Sequence, residues 1–180
     1  IGQRATFGTI ALQLVNQEKD LMILTSDVST SAGLDKYRKL FPSNYIDVGI
    51  AEQNLIGIAT GLASAKYKVI TTTFSPFQTL RCCEQIKVNL GYMKQNVIMV
   101  GLASGFVLGS LGFTHACIED VGVMRSIPNI NIISPADSLE LVKTLQAVME
   151  VDKPFYIRLT NGSNCPRVYN SDYNFEIGKS

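Results

Sequence analysis

Short apolar runs alternate along the chain with longer stretches whose apolar positions recur at helical spacing. The runs at 21–26 (LMILTS), 45–49 (YIDVG), 68–74 (KVITTTF), 96–102 (NVIMVGL), 130–135 (INIISP) and 155–160 (FYIRLT) predict strands. Helical spacing predicts helices over 5–18, 53–66, 76–93, 119–127 and 138–151. Asp137-Ser138 reads as the N-terminal cap of the last helix, and Asp152 and Pro154 close it. Strands apolar on both faces and separated by helices imply an α/β fold, a three-layer α/β/α arrangement on a mainly parallel sheet of about six strands. Such sheets bind ligands beyond the carboxyl ends of their strands. That rule directs attention to Asp27–Ser31, Glu52, Phe74–Phe77, the 103–115 loop and Arg158.

Two segments depart from the alternation. Residues 95–118 carry no formal charge, with Gly101, Gly105 and Gly109 at four-residue spacing, as in a membrane helix with a dimerisation face. The β-branched NVIMVGLA and glycine-punctuated SGFVLGSLGFTH read better as a strand and a loop. After Arg158 the chain turns polar and loses its period. The expected organisation is one domain over 1–162 and a linker over 163–180, leading to a further carboxy-terminal domain past Ser180. Ile1 stands where Met would begin a gene product, so the N-terminus reads as a cut or processed end.

Composition narrows the function. With 46% apolar residues in 180 and a mean hydropathy of +0.16, the chain can bury a core. Sixteen basic against 15 acidic residues leave no positive excess for nucleic acid or an anionic membrane. Cys82, Cys83, Cys117 and Cys165 form no CxxC pair and His115 is the only histidine, which argues against zinc and against a disulfide scaffold. Reduced thiols and a cytoplasmic location are the simple expectation.

The chemistry-bearing residues begin with Glu52. In DVGIAEQNLIGIATGLA (47–63) the acids are Asp47 and Glu52, and there is no lysine or arginine. A carboxyl buried without a cationic partner has a raised pKa and can donate a hydrogen bond to a ring nitrogen. The alternative is a helix-start glutamate facing water and favoured by the helix dipole. Phe74 and Phe77 flank a Ser-Pro step directly after a strand; they can wall a flat heterocycle or belong to the core.

Ordered motifs then change the weighing. IDVGIAEQ (46–53), TFSPF (73–77), GFTHACIEDVGVMRSIPNINIISPAD (112–137) and PFYIRLTNG (154–162) together resemble the pyrimidine-binding domain of the transketolase family of thiamine-diphosphate enzymes. The resemblance spans nearly the whole chain and is strongest to separately encoded carboxy-terminal transketolase subunits, with deoxyxylulose-phosphate synthase nearby.

It implies that Glu52 hydrogen-bonds N1′ of the cofactor's aminopyrimidine and, with His115, forms the catalytic pair. The same resemblance puts Asp27, Ile50, Phe74, Phe77 and Leu80 at the cofactor, and Arg4, Ser31 and Arg158 at a substrate phosphate. For Arg4 and Arg158 the alternatives are a frayed end and a surface charge, and for His115 a structural histidine.

Leu80, which stands for a usual third aromatic, is a mild departure at the cofactor ring. Two departures bear on the substrate: Leu111 stands for a motif aspartate and Ala103 for an upstream histidine. Loss of polar partners in a site built for hydroxyls shifts specificity strongly.

No Gly-Asp-Gly motif for Mg²⁺ and the diphosphate occurs. The resemblance therefore implies a partner diphosphate-binding domain or subunit that holds Mg²⁺, a homodimer, and phosphorylated sugars exchanging a two-carbon ketol unit. Two alternatives remain: a non-catalytic assembly module of the same fold, and a 2-oxoacid dehydrogenase β subunit, against which THACIED and YIRL speak.

Overall fold

The computed structural model describes residues 1–160 and 164–179. Six strands, β1 Leu21–Thr25, β2 Tyr45–Asp47, β3 Lys68–Phe74, β4 Val97–Leu102, β5 Asn131–Ile133 and β6 Phe155–Arg158, form one sheet in the order β2-β1-β3-β4-β6-β5. Every pairing is parallel, so all carboxyl ends lie along one edge.

The strands alternate between two cores, as doubly covered strands must. Leu21, Ile23, Ile98, Val100, Phe155 and Ile157 face α1 (Gln3–Gln17), α2 (Asp35–Leu40) and α7 (Ser138–Met149). Met22, Leu24, Val97, Met99 and Tyr156 face α3 (Glu52–Ser64), α6 (Asp120–Arg125) and the helical segment after β3. This is the three-layer arrangement expected from the sequence. Gly8 and Gly33 let α1 press on the chain before α2: a Cβ on Gly8 would lie 2.0 Å from the carbonyl oxygen of Gly33, itself at φ +74°.

The structure corrects the expected 76–93 helix. It consists of α4 (Ser75–Thr79), α5 (Cys83–Gln85) and a π-helical stretch, Ile86–Tyr92. The first break has a local cause. The N–H groups of both Leu80 and Arg81 reach the Pro76 carbonyl, at 3.0 and 3.2 Å, so the turn widens there. Helix α2 was not expected; its six residues are too few to show a period. Asp137 caps α7 as expected, with Oδ1 accepting from Glu140 N–H at 2.9 Å. Its Oδ2 accepts from the N–H groups of Val168 and Tyr169, which ties the polar segment after β6 to the start of α7. The expected boundary at 162/163 lies outside the described residues.

Candidate active site

The carboxyl edge is organised by short side chains that bond to backbone. Ser26, just past β1, donates to Gly49 carbonyl at 2.6 Å and accepts from Ala51 N–H at 3.2 Å, pinning the approach to α3. Asp47, the last residue of β2, accepts from the N–H groups of Asp27 and Gly49 at 2.9 and 3.0 Å. Its burial alone would raise its pKa, but these backbone bonds outweigh that and hold it below the ordinary carboxylate value. The bond also fixes Asp27 at φ 53°, exposed at the end of β1.

Glu52 opens α3 and is buried, its side chain only 4% exposed. It is not alone, which corrects the reading from its sequence neighbours. Arg81 Nη1 donates to Glu52 Oε2 at 2.7 Å. The same guanidinium lies over Phe77, with its carbon 4.2 Å from the ring centroid. Gln53 Nε2 donates to the Arg81 carbonyl at 3.2 Å, so the start of α3 and the α4–α5 turn are joined twice. Arg81 lies four residues after Phe77, the helical spacing that puts two side chains on one face; no local pattern revealed that Glu52, 29 residues away, would meet them.

Phe74 ends β3 and Phe77 lies in α4; their rings meet edge to face at 6.3 Å. His115 approaches both, 6.3 Å from Phe74 and 5.3 Å from Phe77 between centroids. Its loop is closed at the base by paired bonds between Gly105 and Cys117. Glu52, Arg81, Phe77, Phe74 and His115 thus form a continuous group of side chains. Leu80, next to Arg81 in the chain, and Ile50, two residues before Glu52, are exposed. Burial, and next the charge of Glu52, push the Cys82 thiol up to about 12, so it is inert at neutral pH.

Arg158 has a different environment from the one expected. Its Nε and Nη2 donate to Oδ2 and Oδ1 of Asp120 at 2.8 and 3.1 Å, and Tyr156 donates to Oδ2 at 2.8 Å. The guanidinium's fork thus grips a fully buried carboxylate with Nε and Nη2, and only Nη1 lies outside that contact. Burial opposes the arginine's charge, but the bonds to Asp120 and its negative charge prevail and raise the pKa of Arg158. Asp120 and Tyr156 belong to this network and were missed by sequence reading, which treated IED only as a family signature. Ser104 and Ser75 extend it, with their hydroxyls 2.6 Å apart. Gly101 makes room for it: a Cβ there would lie 2.7 Å from the Ser75 hydroxyl and the Tyr156 ring.

Arg4, in the first turn of α1, and Ser31 lie on the two segments that meet at Gly33, whose Cβ would come 2.8 Å from the Arg4 carbonyl. Ala103 is fully buried at φ 55°, and Leu111 is exposed on the His115 loop. No group of three or more metal-ligating side chains occurs among the described residues. No helix among them is long and apolar enough to cross a membrane.

Comparison with known proteins gives a consistent picture. The family model described as "Transketolase, pyrimidine binding domain" matches residues 1–166. The chain is 35% identical over 181 residues to a subunit of the apulose-4-phosphate transketolase of Phocaeicola vulgatus, covering all of this chain and 58% of that one. It is 33% identical over 180 residues to "Putative transketolase C-terminal section" of Methanocaldococcus jannaschii, covering 99% of this chain and 57% of the relative. Among solved structures, "Split gene transketolase, inactive beta4 tetramer" superposes with a TM-score of 0.87 at 32% identity, again over 99% of this chain and 57% of the other. Transketolase from Campylobacter jejuni shares the fold at a TM-score of 0.79 and 22% identity. The chain thus spans little more than half the length of the separately encoded relatives.

Proposed function

The chain belongs to the transketolase pyrimidine-binding domain family, and on that premise we propose that it supplies the pyrimidine side of a thiamine-diphosphate site in a transketolase-type enzyme. The observation that carries this reading is Glu52. It is a nearly water-free carboxylate at the carboxyl edge of the sheet, within one guanidinium's width of the face of Phe77. A carboxyl beside an aromatic face suits a flat nitrogen heterocycle that stacks and exchanges a hydrogen bond at its edge. The residues present fit the aminopyrimidine on that ground.

The bound cofactor would supply an acidic carbon that becomes a nucleophile toward a sugar carbonyl. The part of this chain is then specific. Glu52 would hold a proton or a hydrogen bond at the ring nitrogen facing it. Phe77 and Phe74 would fix the plane of the ring and exclude water from one side. His115, resting against both rings, would present an imidazole nitrogen toward a substrate oxygen. Asp27 would border the cofactor from the end of β1, with Ile50 and Leu80 as apolar margins. Arg4 and Ser31 would reach a substrate phosphate; Arg158 would support the site through Asp120.

Mg²⁺ and the diphosphate would be held by a second, diphosphate-binding subunit. The exposed Phe106, Leu111, Phe113 and Ile118 on the His115 loop are the apolar surface offered to an assembling copy or partner. Two-carbon ketol transfer between phosphorylated sugars, in the cytoplasm, is the activity this reading assigns. The segment after β6 would lead toward a carboxy-terminal domain.

The test combines the full subunit with a diphosphate-binding subunit, Mg²⁺ and thiamine diphosphate, and follows ketol transfer. Glu52→Gln should lower turnover by about 10²- to 10⁴-fold, as loss of a positioned proton carrier does. Unchanged turnover would refute the assignment. A second reading, an assembly module without turnover, draws on Leu111 and Ala103 where polar groups would meet a sugar; failure of every partner subunit to restore activity would favour it.

A further inference from the structure

Arg81 occupies the two groups that a bound aminopyrimidine would use, the Glu52 carboxyl and the face of Phe77. It is planar, it donates a hydrogen bond to the carboxylate at 2.7 Å, and it covers the aromatic face with its central carbon 4.2 Å from the ring centroid. The covered face is the one beside Glu52, because a single guanidinium touches both groups. A heterocycle cannot stack on that face and bond that carboxylate oxygen while the guanidinium stays there. We propose that Arg81 is an internal stand-in for the pyrimidine, closing the subsite until the cofactor binds and swinging out when it does. The proposal rests on the functional reading given above and names the residue that sets the affinity of that site.

The geometry makes this movement feasible. Only one of the guanidinium nitrogens is bonded to Glu52, and the arginine side chain is 43% exposed, so water can solvate it once it leaves. Its backbone is held separately, through the Gln53 amide on its carbonyl and its own N–H on Pro76, so the side chain can turn without unravelling the α4–α5 turn. The contact also has a protective sense. Without a ligand, Arg81 covers the Glu52 oxygen that water would otherwise reach, and it keeps that place until a ligand arrives. Arg81 is therefore a positioning residue, acting through Glu52.

The experiment measures binding. The full subunit, assembled with a diphosphate-binding subunit and Mg²⁺, is titrated calorimetrically with thiamine diphosphate. Competition with Arg81 lowers apparent affinity by the fraction of time the subsite is closed. Arg81→Ala should therefore bind about two- to fivefold more tightly than the wild type, the range expected for release of one partly exposed ion pair. Arg81→Gln, which keeps length without charge, should also bind more tightly and serves if the alanine variant does not assemble. In a Glu52→Gln background the Arg81 substitution should have no effect, since the latch has lost its catch. Equal or weaker binding by both Arg81 variants, with turnover still lost on Glu52→Gln, overturns the stand-in and leaves the functional reading intact. Absence of binding by the wild type and every variant overturns both.

Discussion

Two arginine–carboxylate pairs stand on the same edge of the sheet, each with a buried acid, and they differ in how the arginine is held. Arg158 grips Asp120 with two nitrogens, its side chain 18% exposed and the acid fully buried, and Tyr156 adds a third bond. Arg81 touches Glu52 with one nitrogen, and its side chain is more than twice as exposed. A forked, buried pair is a fixed strut, because separating it strands charge out of water on both sides. A single contact with one partner in solvent is a movable element, because the freed arginine is at once rehydrated. Both arginines come from segments the sequence singled out, yet the strut was expected to bind substrate and the movable one was not noticed.

The comparison breaks most visibly at the strut. Arg158→Met should lower the stability of the protein by about 3–5 kcal/mol, since Asp120 would be left buried and uncompensated. Denaturant unfolding followed by circular dichroism measures it. A loss under about 1 kcal/mol would mean that Arg158 is free for a ligand after all. The next effect is on the packing around the strut. Gly101→Ala inserts a methyl group 2.7 Å from the Tyr156 ring and from the Ser75 hydroxyl, and should cost about 1–3 kcal/mol by overpacking. Coupling to Arg158→Met in a double-mutant cycle would show whether Gly101 acts through the same network.

These pairs also show where sequence was informative. The alternation of doubly apolar strands with helices implied the parallel sheet and hence the ligand-binding edge, and each strand-end position named from the pattern does lie there. Phe74, Phe77 and His115 were foreseen as site residues, and they meet. What escaped is long-range pairing of charge. Glu52 looked solitary because its companions were sought within its own helix, whereas Arg81 arrives from the turn after β3. Arg158 looked available because Asp120 lies 38 residues earlier, on the far side of α7 in the chain. The split of the 76–93 helix escaped for another reason: apolar spacing continues through a widened turn whose only mark is Pro76 near its start.

A third carboxylate on this edge is held with no arginine at all. Asp137 accepts three backbone N–H bonds, from Glu140, Val168 and Tyr169. Burial opposes its charge, but those bonds prevail and lower its pKa. The sign follows. A depressed carboxyl adds stability at pH above the ordinary carboxylate value, and that stability is lost as pH falls through the depressed value. Asp137→Ala should remove about 1 kcal/mol at neutral pH, with the difference from wild type shrinking in acid. An unfolding series from pH 7 downward, in which the two proteins fail to converge, would contradict this.

The smallest effect on stability belongs to the movable pair, and its smallness is the point. Glu52 is buried, so a rule based on that residue alone would give Arg81→Ala the same several-kcal/mol penalty as loss of Arg158. The exposure of Arg81 argues otherwise. Deleting its side chain opens a channel from solvent to the very oxygen it covered, and water replaces the guanidinium at the carboxylate. Screened and single-pronged, the contact should contribute no more than about 1 kcal/mol. Denaturant midpoints of Arg81→Ala and Arg158→Met, measured side by side, give the ratio directly. If the two variants lose equal stability, Arg81 is as fixed as Arg158, and no ligand of modest affinity could displace it from Glu52.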